Sequence, residues 1–70
     1  MRILIVVEQT VTGYSAYSPD LPGCAATGRT RDEVEQTMQE AIALHLDALR
    51  QSGQRVPPPK SYATYVEVAA

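Results

Sequence analysis

"YSPDLPGCAATGRTRDE", residues 17–33, holds two prolines, two glycines and the lone cysteine of the chain. Leu21-Pro22-Gly23-Cys24 fits a type II turn: proline presets φ at the second position, and glycine supplies the positive φ demanded at the third. Pro19 and Pro22 carry no amide hydrogen, so neither can sit inside a sheet ladder. "CAATG", residues 24–28, then reads as a short strand antiparallel to the one before the turn. Thr30 follows as an N-cap, with Glu33 placed three residues on to reach back to the cap amide. This one stretch therefore predicts strand, turn, strand and helix start, in that order.

Upstream of it, "YSAYS", residues 14–18, alternates Tyr14 and Ala16 with Ser15 and Tyr17, the period of a strand. "TVTG", residues 10–13, is a turn, with Gly13 free to take positive φ. "RILIVVEQ", residues 2–9, is β-branched and free of Pro and Gly. Ile3, Ile5 and Val7 share one face of it, and Leu4 and Val6 the other. A strand apolar on both faces belongs in the middle of a sheet.

Downstream, Val34, Met38, Ala41, Ile42, Ala48 and Leu49 recur at spacings of three and four and make one helical stripe. Asp32, Glu33 and Glu35 suit the positive end of the helix dipole, and Arg50 the negative end. Gly53 is placed to end the helix as its C′ residue. "PPP", residues 57–59, is a stiff extended connector. "YATYVEVA", residues 62–69, reads as a fourth strand, with Tyr62, Thr64, Val66 and Val68 on one face. The expected fold is α+β, a two-layer β-β-β-α-β unit whose four-stranded mixed sheet carries one helix on one face. The fourth strand should lie beside and parallel to the first, which puts the first in the middle. A single domain over residues 1–70 follows, with no C-terminal DNA-binding module.

One helix covers one face of such a sheet. The face with Ile3, Ile5 and Val7 is the helix side. Leu4 and Val6, with Tyr14, Tyr17 and Tyr65, are expected on the other, as a contact surface for a second copy or a different protein. Composition narrows the partner. The net charge is −2, and Arg2, Arg29, Arg31, Arg50, Arg55 and Lys60 are scattered among acids. A nucleic-acid module working alone normally shows a basic face, so no direct nucleic-acid binding is expected. The tyrosines read as packing residues for the same reason. "ILIVV" is far too short to span a membrane, no cleavable leader is evident, and one cysteine cannot form an internal disulfide. The expected compartment is the cytoplasm.

Candidate chemistry is thin. Cys24 and His45 are the one possible Cys–His pair, but His45 falls within the apolar stripe of the helix, where a histidine packs. One His and one Cys are too few for a closed zinc site, and no cofactor is expected. A metal-dependent nuclease would need several converging acids, for which Glu8, Asp20 and Glu67 are the candidates. Asp32 and Glu40 are better explained by the helix dipole and by solvation.

Residues 13–59 resemble the N-terminal domain of HicB-type antitoxins. The resemblance rests on aromatic-x-Ala-aromatic-x-Pro-Asp-Leu-Pro-Gly-Cys at residues 14–24, then Thr-Gly-x-Thr-x-x-Glu at residues 27–33. A helix ending in Gly53 and a Pro-rich connector complete it. It makes Pro19, Asp20, Leu21, Pro22, Gly23, Cys24, Thr30 and Glu33 the structural motif. It implies a partial RNase H-like fold without nuclease activity. It also implies a HicA-type toxin partner, an mRNA-cleaving ribonuclease neutralised by steric occlusion, and assembly as dimers or larger homo-oligomers. The alternatives are an orphan homo-oligomer without a toxin and, further off, the metal-dependent nuclease.

Overall fold

The computed structural model describes residues 1–69. Its elements run β1 (Val6–Gln9), β2 (Tyr14–Tyr17), β3 (Ala25–Gly28) and α1 (Arg31–Gln51). The sheet has three strands in the order β1-β2-β3, both pairings antiparallel. The expected fourth strand is not formed: residues 54–69 carry no helix or strand. The sheet is therefore antiparallel rather than mixed, and β1 lies at its edge instead of in its middle. A strand exists only where a neighbour takes up its backbone groups, and residues 62–69 have none here.

The turn before β3 forms as the sequence dictates. The Cys24 amide donates to the Leu21 carbonyl at 3.1 Å, and Gly23 takes φ +86. Gly13, by contrast, is not at positive φ. It is needed because a Cβ there would run into the Gly28 carbonyl oxygen on the neighbouring hairpin.

Thr30 caps α1 as expected: its Oγ1 accepts from the Glu33 amide at 3.0 Å. The far end closes in a Schellman motif, with Gly53 donating to Arg50 at 3.1 Å and Gln54 to Leu49 at 2.8 Å. The stripe of α1 differs from expectation at one border. Leu46 is buried and Ala48 is exposed. The two sit at about equal angles on either side of the stripe, and turning the helix toward the leucine removes more apolar area from water.

The core lies between α1 and one sheet face. Ala16, Leu21, Cys24, Val34, Met38 and Leu46 are buried, with Ile3, Ile5, Val7, Tyr14 and Ala26 packed against them. Ile3, Ile5 and Val7 thus face the helix as read from the sequence. Leu21 is buried from the loop, where it fills the end of the core beyond the sheet.

A candidate partner-binding surface

Pairing register decides what the uncovered face presents. Val6 stands opposite Tyr17, and Tyr17 opposite Ala25, so these three form one row across the sheet. Side chains alternate along a strand, and Val7, Ala16 and Ala26 in the adjacent row point into the core. The Val6–Tyr17–Ala25 row therefore faces away from α1. The strand expected over residues 2–9 forms only over Val6–Gln9, so Leu4 lies in the segment before it, where alternation carried back from Val6 sets it on the same side. Glu8, Ser15 and Thr27 form the next row outward, which makes the apolar part of the face compact and bordered by polar groups.

One knot of backbone bonds holds this surface in place. Continuing the β1–β2 register sets Leu4 opposite Pro19, which has no amide to donate, and the ladder stops there. Ser18 supplies the missing donor: its Oγ reaches the Leu4 carbonyl at 3.0 Å. The Ser18 amide donates to Cys24 at 3.4 Å, and its carbonyl accepts from the Leu21 amide at 3.3 Å. Ser18 is buried, so each of these bonds compensates for lost water. No sequence signal beyond a serine preceding Pro-Asp marked this residue.

Asp20 ties a distant part of the chain to the same knot. Its Oδ1 and Oδ2 each accept from the Ser61 amide at 3.2 Å, and Oδ1 accepts from Ser61 Oγ at 3.0 Å. Partial burial works to raise the carboxyl pKa. The bonds from Ser61 and the Lys60 amide, with the Lys60 charge, outweigh it and hold the pKa below its ordinary value. Asp20 is thus committed to tethering residues 60–61.

The residues read as a contact surface divide. Leu4 and Val6 are half-buried, and Tyr17 is exposed on the open face. Tyr14 packs against the core on the helix side and leaves that set. Tyr65 lies off the sheet, fully solvated. Beside the start of the first strand is a cleft of about 570 Å³, lined by Arg2–Ile5 on one side and Ser61–Ala63 on the other.

The other candidates do not assemble into chemistry. Cys24 and His45 border one shallow depression, but the thiol is buried, and burial alone acts on its pKa, pushing it up. That keeps it a neutral, packed side chain. Among the described residues no three His, Cys, Asp or Glu side chains are grouped closely enough to hold a metal ion. Asp20 is occupied by Ser61, while Glu8 and Glu67 are exposed. No helix among the described residues is long and apolar enough to cross a membrane.

The turn, the cap, the covering helix and the open antiparallel face together make a small two-layer α+β module with one uncovered sheet face. Residues 2–69 match the sequence model of the HicB-like antitoxin of bacterial toxin–antitoxin systems, and the chain belongs to that family. It is similar to a chain of the solved HicA3 and HicB3 toxin–antitoxin complex. That likeness has a TM-score of 0.66 and 35% identity, and it covers 83% of this chain and 72% of the other. A UPF0150 protein of Helicobacter pylori is 39% identical over 49 residues, 70% of this chain and 68% of the relative. A UPF0150 protein of Thermoplasma acidophilum is 28% identical over 58 residues, 81% of this chain and 84% of the relative.

Proposed function

We propose that this chain is a non-enzymatic antitoxin module that binds a HicA-type toxin and blocks it sterically. The observation that carries this reading is the likeness, at 35% identity, to a chain taken from a toxin–antitoxin complex. The uncovered sheet face supports it, because a compact apolar row with a polar border is the ordinary anatomy of a protein interface. Leu4, Val6 and Tyr17 are the residues assigned to the contact, with Tyr17 as its aromatic anchor. Nothing in this role calls for a cofactor. The cytoplasm, where mRNA is translated, is where such a module acts.

The test mixes the purified chain with a HicA-type toxin and labelled RNA. Cleavage is expected to fall as the chain approaches equimolar ratio with the toxin. Tyr17→Asp should weaken the block by about tenfold or more, because an unpaired charge is buried at the contact. RNA cleavage that continues unchanged with the chain in excess would refute the reading.

A further inference from the structure

The three strands hold one charged side chain between them, and it stands on the open face. Alternation from Val6 sets Glu8 on the same side of β1, away from α1. Register places it opposite Ser15, and Ser15 opposite Thr27, so a carboxylate and two hydroxyls form a line across the sheet. The strand sequences contain neither lysine nor arginine. Arg29 follows β3, two strands away, where it borders a separate depression with Glu33. Glu8 is exposed, so in the free chain water serves its charge.

Covering the face changes that. Two residues of strand span about 7 Å, so Glu8 lies only that far along β1 from Val6 in the apolar row. A contact centred on Tyr17 and burying about 800 Å² on each partner, the size of an ordinary specific interface, takes in the Glu8 row. A carboxylate taken out of water opposes binding unless it is given a counter-charge. The strands have none to offer, so the partner must bring it.

The line of oxygens selects the cation. The Glu8 and Ser15 side chains leave the sheet about 5 Å apart, and both can accept hydrogen bonds. An ammonium acts as a point charge. A guanidinium carries five N–H groups in a planar fork, enough for both carboxylate oxygens and the neighbouring hydroxyl at once.

We propose that Glu8 is the specificity residue of the open face and receives an arginine of the protein partner. The Ser15 hydroxyl accepts a further N–H of the same guanidinium. The proposal rests on the reading of this face as the toxin contact, and it adds the chemistry that the toxin presents. That chemistry is an apolar patch over Val6 and Tyr17 with an arginine beside it, toward the Glu8 end.

The experiment measures binding of the full chain to a HicA-type toxin by surface plasmon resonance, at low and high salt. The wild-type chain is expected to bind. Glu8→Gln keeps the shape and removes the charge, and should weaken binding about tenfold or more, chiefly through faster dissociation. Glu8→Lys sets two cations together and should cost about a hundredfold or more. Ser15→Ala should cost less than either. Circular dichroism of the Glu8 variants should match the wild type, because the side chain is exposed in the free chain. Replacing each toxin arginine and lysine by alanine then locates the pair: at one arginine the loss is not additive with that of Glu8→Gln. A wild-type chain that does not bind the toxin overturns the toxin-contact reading and this proposal together. Wild-type binding that Glu8→Gln leaves unchanged overturns this proposal alone. So does non-additivity with a lysine only, or a loss confined to association and erased by salt, the mark of a solvated rim charge.

Discussion

The stretch from Tyr14 to Gly53 and the two ends of the chain face the same task, which is to take apolar residues out of water. The middle stretch solves it with its own neighbours. Its turn closes at 3.1 Å, its helix is capped at both ends, and Leu21, Val34 and Met38 are fully buried. The ends do not solve it within one copy. The first strand keeps an open edge, and residues 62–69 lie in water. The difference is one of range: the bonds that close the turn, the hairpins and the helix ends of the middle are made between residues near in sequence or across a hairpin, whereas a fourth strand must find a partner about sixty residues away.

Substitutions in the middle should break the comparison most. Leu21→Ala empties the end of the core where the loop plugs it. A loss of about 2–5 kcal/mol is expected, measured as a lower urea midpoint with unchanged slope. For so small a domain that is a large part of total stability. An indifferent midpoint would mean that the loop does not contribute to the core.

Gly28→Ala comes next. A Cβ at this position would lie 2.7 Å from the Val34 amide nitrogen and 3.0 Å from its Cα. These are backbone atoms in the first turns of α1 and cannot swing aside, so the helix must move off the sheet. A loss of about 1–3 kcal/mol is expected, with chemical-shift changes concentrated around Val34 and Tyr14.

Thr30→Ala removes one cap bond and should cost about 1 kcal/mol. The cap is half of the expected box: Thr30 accepts from Glu33, while the Glu33 carboxylate makes no return bond to the Thr30 amide among the described residues. Glu33→Ala should therefore cost less than Thr30→Ala in the same denaturation assay. An equal loss would show that the reciprocal bond forms in solution.

These effects follow the division between what the sequence does and does not disclose. The Leu21–Cys24 turn, the Thr30 cap and the Gly53 terminus are each specified within four or five residues, by φ preferences and hydrogen-bonding side chains. They are legible without any knowledge of the fold. The side of Tyr14 was harder to assign, because alternation places it with Ala16 but does not say which row the helix covers. Leu46 and Ala48 flank the stripe almost symmetrically, and only packing chooses between them. Ser18 and Ser61 were illegible: a serine joined to a carbonyl fourteen residues back, or to a carboxylate forty-one residues back, leaves no local pattern. The open face was legible in Leu4, Val6 and Tyr17. Tyr65 lies off that face because residues 62–69 form no strand.

The Asp20–Ser61 tether joins the two regions, and acid should sharpen the contrast by releasing it. The carboxyl is ionised in the folded chain to a lower pH than its ordinary value of 3.8, because its bonds from Ser61 and Lys60 favour the charged form. Its contribution is therefore complete above the unfolded pKa and is lost as pH falls from there through the folded value. At neutral pH the tether should hold. Below about pH 4 the Ser61 amide resonance should move toward its random-coil position and exchange faster, while the Cys24 and Glu33 amides, which donate to uncharged oxygens, stay protected. Asp20→Asn should abolish that acid transition at Ser61 and leave the turn and cap resonances in place. If the Ser61 and Cys24 amides lose protection together at one pH, the tether belongs to the same cooperative unit as the middle of the chain, and the two regions do not differ in the way their contacts imply.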